Sequence, residues 1–294
     1  MIKINNTQIN QNNRMEKEYL PHILITNDDG IFAPGIAALV SELSKIAQIS
    51  VIAPDRNWSA TGHSRTLDRP LRTRPVELFG KLPAWSCDGA PSDCVALGIN
   101  GFFTQPVDMV VSGINSGENI GNDLTYSGTV SAAMEAVIGN VPAIAVSLES
   151  GTNNKDLAQY EPAAIIAQMV VEKTLAHRLP PNLLLNVNIP CLSLDQIKGM
   201  KVTRQGTRVY HDRVDTRTDP RGNAYHWVFG ETPTAIPELG SDVGALSAGY
   251  VSITPVQLDM TAYRFMSELQ SWSWETQQPA LQLHPLLLSK NSLV

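Results

Sequence analysis

The chain has 294 residues, 43% of them hydrophobic, enough for one large α/β domain or two modest ones and incompatible with wholesale disorder. Its 22 basic and 28 acidic residues give a net charge of −6, which argues against a nucleic-acid backbone binder, whose phosphate contacts need a basic footprint. The three cysteines, Cys87, Cys94 and Cys191, are too few and too scattered for a disulfide framework or a zinc site, and read as buried or free thiols of a reducing compartment.

Residues 1–20 form a polar tail rich in Asn and Gln, without the apolar stretch of a secretory signal. No apolar run approaches the roughly 18–20 residues of a membrane helix, so a soluble cytoplasmic protein is expected. The β-branched run His22–Thr26 predicts a buried strand. Ile36, Leu39, Val40, Leu43 and Ile46 then recur at helical spacing, and Ile49–Ala53 predicts a second strand, completing a β-α-β unit. The alternation continues with a helix over Ala90–Phe103, a strand over Val107–Val111 and a helix over Thr129–Ile138 closed by Gly139-Asn140. A strand over Ala143–Leu148, a long helix over Gln159–Ala176 and a strand over Leu183–Asn188 follow. This pattern predicts a three-layer α/β fold around a mainly parallel sheet.

From about residue 199 the texture changes. Val202, Val209, Val214 and the run Tyr225–Phe229 predict strands, with a turn at Asp219-Pro220-Arg221-Gly222-Asn223. A hairpin so polar and aromatic, within an extension at about 199–232, suits packing against a second subunit better than a sheet core. Tyr250–Pro255 predicts one more strand, and residues 263–294 show no clear periodicity and form a C-terminal extension.

In an open α/β sheet, ligands bind outside the carboxyl ends of the strands. Three polar segments fall there. Asn27-Asp28-Asp29-Gly30 follows the first strand, and two adjacent ionised carboxylates call for a compensating cation, best a hard one such as Mg2+ or Mn2+; the alternative is an Asp-rich turn capping the next helix. Ala53–Ser59 follows the second strand and reads either as a ligand loop or as plain surface. Ser112–Gly121, running on to Tyr126-Ser127-Gly128-Thr129, is glycine-rich and opens a helix whose free N–H groups favour a phosphate. No Walker lysine follows it. Together the three segments suit metal-assisted phosphoryl chemistry. A nucleotide-binding module without turnover is the competing reading. Gly-x-Ser-x-Gly is absent, and adjacent carboxylates do not flank a sugar, so ester and glycoside hydrolysis fit less well.

The segments Ile25–Gly30, Ala33-Pro34-Gly35, Ala53–Asn57 with Ser59, Val111–Asn115, Gly117, Asn119, Gly121 and Tyr126–Glu135 resemble the SurE family of stationary-phase survival proteins. Asp219–Gly222 and Gly249–Pro255 extend the resemblance, in the same order, over about residues 22–262. It implies a divalent-metal-dependent phosphatase of nucleoside 5′- and 3′-monophosphates, in some members also of short polyphosphate. It also implies a Rossmann-like core over 21–262 and a C-terminal portion exchanged between subunits of a homodimer or homotetramer. By the same resemblance, Asp28, Asp29, Ser59 and Asn115 hold one cation per subunit, Mg2+ or Mn2+, with Asp28 and Asp29 at the catalytic centre. Asn119, Ser127, Gly128 and Thr129 surround the phosphate. The nucleophile is a water or, second to it, one of the two aspartates. His63 lies close enough in sequence to Ser59 to protonate the leaving group, with a polar loop histidine as the alternative; His22 reads as structural. One departure concerns the site: the family usually has Ser-Gly where this chain has Ser59-Ala60.

Overall fold

The computed structural model describes residues 20–78, 82–151, 157–230, 233–272 and 274; the polar tail of 1–19 and most of the C-terminal extension lie outside them. A nine-stranded sheet organises the chain up to Leu258. In chain order its elements are β1 (His22–Thr26), α1 (Pro34–Leu43), β2 (Gln48–Pro54), β3 (Thr73–Leu78), β4 (Leu82–Cys87), α2 (Pro91–Leu97), β5 (Met109–Ser116), α3 (Gly128–Ile138), β6 (Ala143–Leu148), α4 (Glu161–His177) and β7 (Leu183–Ile189). Then come β8 (Met200–Val202), β9 (Thr207–Val209), β10 (Asp212–Thr218), β11 (Ala224–Gly230), β12 (Thr234–Ile236), α5 (Asp242–Ser247) and β13 (Val251–Gln257). The strand order is β3-β4-β2-β1-β5-β6-β7-β13-β8, parallel from β4 through β7, with β3 and β13 antiparallel to their inner neighbours.

β1 is buried throughout, as its uninterrupted apolar and β-branched sequence requires of a central parallel strand. Two apolar layers sandwich the sheet. One joins Ile23, Ile25 and Val111 to Leu39 and Leu43 of α1 and to Ala163, Ala167 and Val171 of α4. The other joins Leu24, Val110 and Ala145 to Cys94 and Val95 of α2 and to Val130, Ala133 and Val137 of α3. Burying a side chain such as Leu39 contributes roughly 1.5–3 kcal/mol. His22, 4% exposed, is structural: Nδ1 donates to Pro106 O at 2.8 Å, and Nε2 lies 2.8 Å from Ser50 Oγ. Cys87 and Cys94 are buried and Cys191 half-buried, all three free.

The expected alternation is present, with differences that have physical reasons. β3 and β4 lie in a stretch to which the sequence pattern assigned no element; Pro75, Arg74 and Glu77 suit the sheet edge that β3 forms. The strand expected to end at Val111 runs on to Ser116, with a bulge between Ser112 and Asn115. Gly113 there has φ +137°, and a Cβ on it would sit 2.3 Å from Val146 O, so no side chain fits. The helix expected over Ala90–Phe103 stops as α at Leu97 and continues as a wider turn over Gly98–Phe102, where Gly101 has φ +101°.

β10 and β11 pair as the expected hairpin, Asp212 opposite Gly230 through Thr218 opposite Ala224, closed by Asp219 N–H to Asn223 O. After Leu258 a separate short unit contains α6 (Tyr263–Ser271), where the sequence showed no clear period. Trp274 stacks on Trp272 within it. Among the described residues no helix is long and apolar enough to cross a membrane.

Candidate active site

β1 is the switch point of the sheet: chain order runs outward to β2 on one side and to β5 on the other, which leaves a crevice at the carboxyl ends of β1 and β5. Asp28 and Asp29 leave β1 at that crevice. Asn27 holds the turn, its Nδ2 donating to Gly30 O at 2.9 Å and its Oδ1 accepting Gly30 N–H at 3.2 Å.

Asp28 is 3% exposed. Thr129 Oγ1, at the start of α3, donates to Asp28 Oδ1 at 2.5 Å. Burial pushes the Asp28 carboxyl up to about 6, against the Thr129 hydrogen bond that lowers it, and the neighbouring Asp29 charge adds to the rise. Asp29 is also raised, by burial, and Ser116 N–H donates to its Oδ2 at 3.0 Å. No Lys or Arg forms an ion pair with either carboxylate among the described residues. Two desolvated carboxylates with only neutral donors around them fit a hard divalent cation. Gly128 makes the packing possible: a Cβ there would stand 2.7 Å from Asp28 Cβ and 2.8 Å from Asp28 Oδ2.

The other expected ligands come from the adjoining strand ends. Trp58 N–H donates to Asp28 O at 2.8 Å and Asn57 Nδ2 reaches Asp29 Oδ1 at 3.5 Å, which brings the Ser59 loop to the carboxylates. Ser59 itself is exposed, with its backbone N–H bonded to Asn57 Oδ1. Asn115, near the end of β5, donates through Nδ2 to Gly117 O at 2.8 Å, leaving its amide oxygen as the remaining acceptor. Among the described residues no three His, Cys, Asp or Glu side chains converge; the expected set is two carboxylates, a hydroxyl and an amide oxygen.

Around the expected phosphate position the four residues divide. Ser127 caps α3, its Oγ accepting Val130 N–H at 3.1 Å while its hydroxyl proton stays free to donate, and Gly128 is the first residue of that helix. The side-chain donors of the other two are engaged, Thr129 on Asp28 and Asn119 Nδ2 on Ser147 Oγ at 2.8 Å. Asn119 also ties its loop to β7, with its N–H on Asn188 Oδ1 and its carbonyl accepting from Asn186 and Asn188.

Two groups around the site escaped sequence reasoning. Glu135, the one charged residue of α3, is buried and pairs with His63 Nε2 at 2.8 Å and with Arg65. Arg65 and Thr66 also bond the fully buried Asp93 of α2. His63 therefore fastens the far end of the Ser59 loop to α3. A lone acid in an otherwise apolar helix was the available signal. On the other flank, Arg208 of β9 bonds Asp123 at 2.7 Å and Glu118 at 3.2 Å, and Tyr210 donates to Asp123. Burial and the Asp123 carboxylate push the Tyr210 phenol up to about 12. Asp242 accepts N–H groups from Gly121, Gly206 and Val243, fixing the same loop to α5.

The family described as Survival protein SurE matches residues 23–212. The chain belongs to the SurE family. A relative from Chloroflexus aggregans named 5′-nucleotidase SurE is 48% identical over 254 residues, covering 86% of this chain and all of that one. A SurE 5′-nucleotidase from Geobacter sulfurreducens is 43% identical over 258 residues, 88% of this chain and 96% of its own. The crystal structure of the SurE protein from Aquifex aeolicus superposes with a TM-score of 0.72 at 42% identity, covering 85% of this chain and 98% of that one. The expected three-layer fold is thus shared with a solved SurE structure. Ala60, where the SurE resemblance leads one to expect glycine, has φ +58°, a conformation that costs an L-residue about 1 kcal/mol or more.

Proposed function

We propose that this chain is a divalent-metal-dependent 5′-nucleotidase, hydrolysing nucleoside 5′-monophosphates to nucleoside and phosphate. The observation that carries the reading is the adjacent pair Asp28 and Asp29, the first buried against the start of α3 and the second half-buried beside Ser116, with no cationic side-chain partner for either among the described residues of a SurE chain. The names of the relatives agree with it.

Asp28, Asp29, Ser59 and Asn115 would hold the cation, one per subunit, Mg2+ or Mn2+. When bound, such an ion supplies Lewis-acid polarisation of the phosphate and activation of water. The chain's own groups do the rest. Ser127 Oγ and the Gly128 N–H donate to phosphate oxygens at the positive end of α3. Thr129 keeps Asp28 oriented, and Asn119 holds the loop that carries Gly117 and Gly121 against β7. Water is the nucleophile in preference to either aspartate, because Thr129 and Ser116 already engage their oxygens and a bound cation would take up more of them. The enzyme is a cytoplasmic homodimer or homotetramer, with the β10–β11 hairpin in the subunit contact.

Phosphate release from 5′- and 3′-monophosphates and short polyphosphate, with Mn2+, Mg2+ or EDTA, tests the reading. Metal-dependent release from 5′-monophosphates is expected. Nucleotide binding without release in any metal would replace it with a binding module.

A further inference from the structure

A cavity of about 380 Å3 opens beside Asp29, on the side of that carboxylate where Ser116 rather than α3 contacts it. Phe32, Arg56, Ser116 and Tyr160 line it together with Asp29. Its volume falls within the roughly 300–1,000 Å3 of small-molecule sites. Phe32 is 72% exposed, although it sits on a well-tied turn. Ala33 N–H bonds Gly30 O at 3.0 Å, and Ile31 N–H bonds Pro54 O at 2.9 Å, so the Phe32 turn is closed on itself and fastened to the end of β2, from which the Arg56 loop leaves. Arg56 is held in turn by Asp55 at 3.2 Å and lies over the Trp58 ring, 4.7 Å from its centroid. A large apolar ring kept in water on a fixed turn, next to the catalytic carboxylate, lacks the planar partner that would cover it.

We propose that this cavity takes the nucleobase of the substrate, stacked on Phe32, while the phosphate lies between Asp28, Asp29 and the start of α3. The proposal rests on the phosphatase reading of the carboxylates and adds the specificity residue to it. Stacking on an aromatic face accepts any base, because each has a π-face. The cavity therefore favours nucleotides over base-free phosphomonoesters, with little choice among bases.

The test compares kcat/KM for AMP, CMP and ribose 5-phosphate in the parent, Phe32→Ala and Phe32→Trp, together with calorimetric binding of adenosine, which needs no turnover. Being exposed, Phe32 is replaceable with little effect on folding. In Phe32→Ala the ratio of AMP to ribose 5-phosphate falls about tenfold through KM, CMP follows AMP, adenosine binds about tenfold more weakly, and Phe32→Trp restores both. A ratio and an adenosine affinity within twofold of the parent in Phe32→Ala, or a parent that does not bind adenosine, overturns the proposal. Failure of the carboxylate reading looks different: Asp28→Asn would then retain phosphate release from AMP and ribose 5-phosphate alike.

Discussion

The carboxyl edge of β1 and the β10–β11 hairpin are incomplete in opposite ways. At the first, Asp28 is buried with its carboxyl pushed up to about 6, and the donors around it are neutral. At the second, every residue of β11 is exposed, with Trp227 at 60% and Val228 at 70%. One region holds charge away from water, and the other holds apolar surface in it. Each arrangement is unfavourable in the isolated chain, and each would be relieved by what the proposed function adds from outside, a cation in one case and a second subunit's apolar surface in the other. The sheet itself needs neither.

The largest effect expected from disturbing the first region is on turnover. Asp28→Asn keeps the side chain's size and removes one charged oxygen ligand, so kcat/KM for a nucleoside 5′-monophosphate falls at least about 100-fold, or about 2.7 kcal/mol. Phosphate release with saturating Mn2+ measures it, on protein whose fold is verified by its melting curve.

Without metal, the same substitution acts on stability instead of turnover. A carboxyl raised in the folded state from 3.8 to about 6 binds its proton more tightly there than in the unfolded chain. The parent is therefore relatively more stable at low pH, and that advantage is lost as pH rises through the interval up to about 6. In EDTA, Asp28→Asn is then level with the parent near pH 4 and more stable above pH 6, by up to about 2–3 kcal/mol. Melting curves across that range read the difference; a variant less stable than the parent at pH 7 would contradict the burial argument.

The hairpin responds to a different perturbation. Light scattering at micromolar concentration is expected to give a mass of at least twice 32.0 kDa. Trp227→Ala weakens association by about 2 kcal/mol, the size of an interfacial hot spot, with kcat of the assembled form retained. A monomeric parent would leave the hairpin aromatics without the role assigned to them.

Two smaller effects probe the frame of the site. Ser127→Ala removes the α3 cap and costs about 1 kcal/mol, read by denaturant titration. Ala60→Gly relieves the positive φ beside Ser59 and gains about 0.5 kcal/mol after the entropy of glycine is counted.

The legible parts of the sequence were those governed by local pattern. β1, α1 and β2 follow from periodicity, and Asp28-Asp29 stands out because adjacent acids at a strand end demand an explanation. Ser112–Ser116 was not legible as strand, since its Ser, Gly and Asn residues are turn formers and only the neighbours β1 and β6 hold it in the sheet. β3 carries proline and charge that its place at the sheet edge tolerates. The partners of the site residues were hidden for another reason. The Thr129 hydroxyl meets an aspartate 101 positions earlier, and Arg65 meets Glu135 70 positions later. No local pattern encodes such pairings; the parallel crossovers that bring strand ends together create them.

The claim on which the rest depends is that Asp28 and Asp29 form a divalent-cation site. Calorimetric titration of the parent and of Asp28→Asn with Mn2+, at a pH above 6 after treatment with EDTA, tests it most directly. The parent should bind one ion per chain, and Asp28→Asn should bind it at least tenfold more weakly while remaining folded. Equal affinity in the two proteins would contradict the account.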